Sequence, residues 1–166
     1  MPIKKNQDLW RQALVDGNEI CYHSMKHQRL TQMTNSQIKK DIDSWNKLAK
    51  KVFGKNFISP KIIRPPYGSW NPRVLKYLNS LGYYVIRWKL DTMTGVAEKN
   101  KNDKNKVLAK KVAKYITSKS KPGFISLQHF QNKYDALSIP LYISYMKTHF
   151  QLVKVSIAVA AESKSK

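Results

Sequence analysis

Three of the four histidines in this 166-residue chain stand where a short apolar run gives out. His23 and His27 follow Ile20-Cys-Tyr22, and His129 follows Phe124-Ile-Ser-Leu127. Imidazole titrates near neutral pH and also serves as a ligand for borderline metals such as zinc. In His-x-x-x-His the two rings can share one side of a helical turn, because residues i and i+4 are surface neighbours. Such a pair also suits a plain polar face. Other reactive residues stand in similar places. Arg64-Pro-Pro-Tyr-Gly68 follows Lys61-Ile-Ile, and Trp88-Lys-Leu-Asp91 closes a run that starts at Tyr83. Together they offer two candidate metal ligands, a guanidinium, a tyrosine, a carboxylate and a third imidazole. Taken singly, each has a plainer reading. Arg64-Pro-Pro-Tyr makes a rigid turn, Trp88 fills a core, Asp91 caps a helix, and His129 is a structural histidine. His149 has no comparable setting and reads as surface.

Elements that would hold these residues can be read from the pattern. Apolar residues at 9, 10, 13 and 14 predict a helix over 7–16, ended by Gly17. Ile20 to Tyr22 reads as a short strand. Thr34-x-x-Gln37 is a capping box, followed at helical spacing by Ile38, Ile42, Trp45, Leu48 and Val52 up to Gly54. Lys61 to Arg64 is a strand stopped by proline. Asn71-Pro72 opens a helix with the stripe Val74, Leu78, Leu81, closed by Gly82. Tyr83 to Leu90 reads as one strand, and 97–106 as a mobile loop. A basic helix carrying Leu108, Val112 and Ile116 follows. Then come a Pro122-Gly123 turn, a strand to Leu127, a helix from Asp135 to His149, and a last strand over Leu152 to Ala160. Strands alternating with helices argue for a parallel α/β sheet or barrel, in which chemistry collects at the carboxyl ends of strands. By length the chain reads as one domain over 1–160, with a frayed basic tail at 161–166.

Composition adds bounds. The net charge of +21, from 31 Lys+Arg against 10 Asp+Glu, favours polyanions such as anionic wall polymers, nucleic acid or a membrane surface. Arginine is scarce, and no helix pairs arginine clusters with Asn or Gln as a base-reading element does. A single cysteine, Cys21, excludes an internal disulfide framework. No signal peptide and no membrane-length apolar run are visible, so no compartment is assigned.

The ordered series His23-Ser-Met-Lys-His27, Arg64-Pro-Pro-Tyr-Gly68, Trp88-x-x-Asp91-Thr92 and Ile125-Ser-Leu-Gln-His129 resembles the NodB-homology polysaccharide deacetylases of carbohydrate esterase family 4. The wording is similar to the fungal chitin deacetylase branch, and the likeness runs from about Trp10 to Ile157. The resemblance implies a distorted (β/α) barrel and metal-dependent removal of N-acetyl groups from chitin-like or peptidoglycan-like sugars. It implies that His23 and His27 bind a divalent ion, commonly zinc. The Tyr67 N–H would hold the oxyanion, and Pro65 and Pro66 beside it would belong to the substrate-binding set. Arg64 would orient the catalytic carboxylate. His129 would protonate the leaving amine, tuned by Asp91, and Trp88 and Leu127 would wall the acetyl pocket. The implied partner is an N-acetylated polysaccharide. Family members are usually secreted or associated with the cell wall.

The sequence departs from the family pattern in three places. No Asp-Asp pair occurs among its ten acidic residues, so the expected general base and third metal ligand are missing. Thr94-Gly95 replaces an expected Asp-Trp pair, and Phe130 stands where an acid is usual. The expected fold is therefore an incomplete barrel lacking its first strands, shorter than the about 250 residues of a complete eight-fold barrel. Three explanations stand open: a fragment of an active deacetylase, a degenerate member, or a chain completed by a partner. Outside catalysis, the alternatives are a non-catalytic glycan binder and a basic nucleic-acid-binding domain.

Overall fold

The computed structural model describes residues 5–129 and 131–164, without the side chains of 162–164. They form two compact units. The first takes residues up to Ile86 together with those from Lys154 onward, and the second takes Arg87–Val153.

In the first unit, helix α1 (Gln7–Val15) gives way to Gly17, whose φ of 88° suits a residue without Cβ. Helix α2 (Asn35–Phe53) starts with the expected capping box: the Thr34 hydroxyl accepts from the Gln37 N–H, and the Gln37 side chain accepts from the Thr34 N–H. Helix α3 (Pro72–Ser80) has Asn71 as its cap, accepting from the Val74 N–H at 2.9 Å. Between α2 and α3 lies strand β1 (Ile62–Ile63), and after α3 comes β2 (Tyr84–Val85). The two pair in parallel, Ile62 with Tyr84 and Ile63 with Val85, so β1, α3 and β2 form one βαβ crossover. Tyr22, Leu30, Ile38, Ile42, Trp45, Ile63, Val74, Leu78 and Tyr83 pack as one buried core. It joins the inner stripes of α2 and α3 to the strands, as their periodicity requires.

The second unit repeats the plan. Strand β3 (Leu90–Asp91) pairs in parallel with β4 (Ser126–Leu127), matching Leu90 with Ser126 and Asp91 with Leu127. Helix α4 (Asn105–Lys119) crosses between them and buries Leu108, Val112 and Ile116, as its spacing predicts. Helix α5 (Lys133–His149) packs with it, and Leu90, Val96, Val112, Ala113, Ile116 and Tyr142 form this unit's core. Pro140 lies inside α5, removing one backbone donor without ending the helix.

Four expectations change. The stretch from Tyr83 to Leu90 is not one strand: β2 pairs with β1, and β3 pairs only with β4. Propensity marks an extended run but does not say which neighbour receives each half. Of Ile20–Tyr22, only Tyr22 pairs, in an isolated parallel bridge to Ile63. Part of 97–106 is helical, as a π-type turn over Met93–Ala97, a 3-10 turn over Glu98–Asn100, and the start of α4 at Asn105. The last element is helix α6 (Val155–Lys164), where Leu152 to Ala160 reads as a strand and 161–166 as a frayed tail. The β-branched alternation at 153, 155, 157 and 159 misleads there. Ala158, Ala160 and Ala161 favour a helix, and the Glu19 carboxylate accepts from the Ser156 N–H, filling one first-turn orphan donor. Residues 165–166 lie outside those described. Among the described residues no helix is long and apolar enough to cross a membrane.

Candidate functional site

The bridge between Tyr22 and Ile63 sets the register from which the first unit's site follows. Parallel neighbours that leave a ladder together place their next residues side by side, here His23 and Arg64. The His23 Nδ1 is hydrogen-bonded to the Arg64 carbonyl oxygen. A carbonyl only accepts, so Nδ1 carries the proton and the lone pair is on Nε2. An imidazole held through Nδ1 to a backbone carbonyl is oriented as metal-binding histidines are, with Nε2 as its basic nitrogen. The His27 ring stands 5.1 Å from the His23 ring, edge to face, and 4.7 Å from the Tyr67 ring. His23, His27, Arg64 and Tyr67 are therefore brought together, though not on the helical turn that the His-x-x-x-His spacing suggests: residues 23–27 form no helix, and Ser24 and His27 have positive φ.

Backbone strain marks the same residues. Ser24, His27 and Tyr67 all have positive φ, at 62°, 54° and 58°. For residues with a Cβ, this costs about 1–3 kcal/mol each and persists only where surroundings enforce it. Asp41 of α2 supplies part of that enforcement. Its Oδ2 accepts from the Tyr22 hydroxyl at 2.5 Å and from the Met25 N–H at 2.9 Å. Burial and this carboxylate push the Tyr22 phenol far above its ordinary range. The Ser24 hydroxyl accepts from the Gln28 N–H. Opposite, Pro65 and Pro66 are fully buried, so they stiffen the turn from beneath and present no surface to a ligand. Tyr67, by contrast, is 60% exposed, with the Arg29 guanidinium 4.3 Å above its ring centroid. Cys21, although next to this cluster in sequence, is no nucleophile. Burial, with the Glu19 charge, pushes its thiol up to about 11.

The second unit holds Trp88, Asp91, Leu127 and His129. Leu127 is buried and Trp88 half-buried. The Asp91 Oδ1 accepts from the Met93 and Thr94 N–H groups, so its observed contacts are those of a cap on the following turn. His129 is held through its backbone: its N–H donates to the Asp135 Oδ2 at 2.9 Å. Asp135 is only 2% exposed, and the Thr92 hydroxyl donates to its Oδ1 at 2.7 Å. Tyr142 donates to Gln128 on the same helix face. The His129 Nδ1 is buried and has no hydrogen-bond partner among the described residues. Phe130 lies outside the described residues.

Sequence reading missed Arg29, Asp41 and Asp135. The signal for Asp41 was a carboxylate beside the buried stripe Ile38, Ile42, Trp45, and for Asp135 the polar series Asp135, Ser138, Tyr142 at helical spacing. Arg29 left no such signal.

The implied metal meets the residues only in part. Donor type and the His23 tautomer suit zinc. Yet among the described residues no group of three or more His, Cys, Asp and Glu could hold an ion. Zinc sites normally use at least three protein ligands, so these side chains by themselves do not make one.

Residues 2–86 match the family model described as polysaccharide deacetylase. The chain is similar to the chitooligosaccharide deacetylase of Azorhizobium caulinodans, at 26% identity over 126 residues, covering 76% of this chain and 55% of the relative. It is also similar to the peptidoglycan-N-acetylmuramic acid deacetylase PdaA of Bacillus subtilis, at 30% identity, covering 87% and 52%. The chain thus spans about half the length of these curated relatives. Among solved structures, peptidoglycan deacetylase PdaC from Bacillus subtilis superposes with a TM-score of 0.76 at 21% identity, covering 98% of this chain and 74% of that one. This likeness shows a shared fold.

Proposed function

This chain belongs to the polysaccharide deacetylase family, and on that premise we propose that it binds a polymer of N-acetylated sugars, of the chitin or peptidoglycan kind, and takes part in removing the N-acetyl group. The observation that supports this most is the Tyr22–Ile63 register, with His23 bonded to the Arg64 carbonyl and Tyr67 against His27.

Amide hydrolysis needs a site for the developing oxyanion, a proton for the departing amine and a base for the attacking water. The Tyr67 N–H is the proposed oxyanion donor, preorganised by the strained turn above the two prolines. His129 is the proposed proton donor, and Trp88 and Leu127 are the proposed walls around the acetyl methyl. Arg64 orients the carboxylate that acts as base. That carboxylate, and a further metal donor beside His23 and His27, are proposed to come from residues other than those of this chain.

The test is twofold. The chain should bind chito-oligosaccharides in calorimetry and release acetate from them only near background. Robust metal-dependent acetate release would show that the chain holds a base of its own, and absence of glycan binding would remove the reading. A second reading, a non-catalytic glycan binder, draws support from the incomplete donor set. Retention on chitin indifferent to chelator and to His23→Ala favours it. Steeply salt-dependent binding to duplex DNA would instead indicate a nucleic-acid partner for the basic surface.

A further inference from the structure

We propose that Arg29 reads a carboxylate on the glycan, so that the preferred polymer carries an acidic sugar next to the N-acetylated one. The inference rests on the reading of Tyr67 as a substrate-binding residue and names the substrate class it implies. The Arg29 guanidinium carbon lies over the Tyr67 ring, 4.3 Å from its centroid. A guanidinium that meets a ring through its π-face rather than through hydrogen bonds keeps its N–H fork for an anion, and that fork grips a carboxylate with two parallel hydrogen bonds. Among the described residues the ion pairs are Arg11–Asp8, Lys39–Asp43 and Lys111–Asp103, and no hydrogen bond engages the Arg29 side chain.

The stack is also preorganised. Leu30, next to Arg29, is 0% exposed and anchors the segment in the core. The Thr31 and Ser69 hydroxyls are hydrogen-bonded at 2.6 Å, joining the Arg29 loop to the Tyr67 loop. Arg73 of α3 donates to the Met33 carbonyl at 2.8 Å and to the Asn35 side chain at 2.6 Å. The guanidinium is thus held at the rim of the histidine cluster. Lys26 adds a second exposed positive charge to this segment, whose nearest contacting carboxylate, Asp41, is engaged by the Tyr22 hydroxyl and the Met25 N–H.

The test compares three ligands by titration calorimetry at low salt: peptide-free peptidoglycan strands, whose alternate sugars carry a carboxylate; the same strands methyl-esterified; and neutral chito-oligosaccharide of equal length. Wild type should bind the acid strands about tenfold more tightly than their esters, as expected of a charge-assisted bidentate pair. Arg29→Gln should lose that preference yet bind the ester and chito-oligosaccharide as wild type does. Lys40→Gln, which removes the same charge from the exposed face of α2, should keep it. Equal wild-type affinity for acid and ester, or a preference surviving Arg29→Gln, overturns the inference and leaves the family reading standing. No binding of any of the three overturns both.

Discussion

Asp41 holds a chain segment that cannot hold itself. Its single oxygen serves the Tyr22 hydroxyl and the Met25 N–H, bracketing His23 between them. Asp41→Ala leaves both donors in a poorly solvated place, at about 1–3 kcal/mol for a buried unsatisfied group. Chemical denaturation should record a loss of that size, and glycan affinity should fall with it as His23 and His27 lose their setting. Asp41→Asn, which still offers an acceptor, should lose less. Cys21 gives a pH signature. Its folded thiol is raised from an ordinary 9.0 to about 11, so between those values the unfolded chain releases the proton first and stability declines as pH rises. Below that window the group costs nothing. Denaturation profiles of wild type and Cys21→Ser should run parallel up to about pH 9 and diverge above it, wild type falling faster.

Helix ends and helix faces carry the element scale. The capping box at Thr34 satisfies a first-turn donor of α2, the helix that contributes Ile38, Ile42 and Trp45 to the core. Thr34→Ala should cost about 1 kcal/mol in thermal melting, the usual worth of such a cap. Helix α5 has a different duty, since Asp135 ties its first turn to Thr92 and to the backbone of His129. Asp135→Ala should lower stability by about 2 kcal/mol and broaden the His129 ring resonances in NMR spectra. If the His129 signals stay unchanged, the clamp does not position the ring. The capping box of α2, the proline-started α3 and the apolar stripe of α4 were all legible in the sequence, because each rule acts within a few residues. The nature of α6 was not. Alternating Val and Ile satisfy a strand pattern, and the Glu19 carboxylate that meets its first turn comes from far away in sequence.

At the scale of the molecule, the described residues make two βαβ crossovers, one per compact unit. Its histidine pair closes no metal site among the described residues. A chelator should therefore leave the melting temperature within about 1 °C of its value in added zinc, since a weak ligand contributes little by mass action. A larger shift would reveal a donor set tighter than two imidazoles. The order and spacing of His23, His27, Arg64, Tyr67, Asp91 and His129 belong to the sequence alone, and they sufficed to suggest the family, because motif chemistry is written in residue types at short range. Tertiary structure decided the rest: that Tyr22 pairs with Ile63, that the run after Tyr83 divides between two partners, and that Arg29 lies on Tyr67. Backbone pairing and ring stacking join residues distant along the chain, and only the folded core, by closing those distances, selects which of them meet.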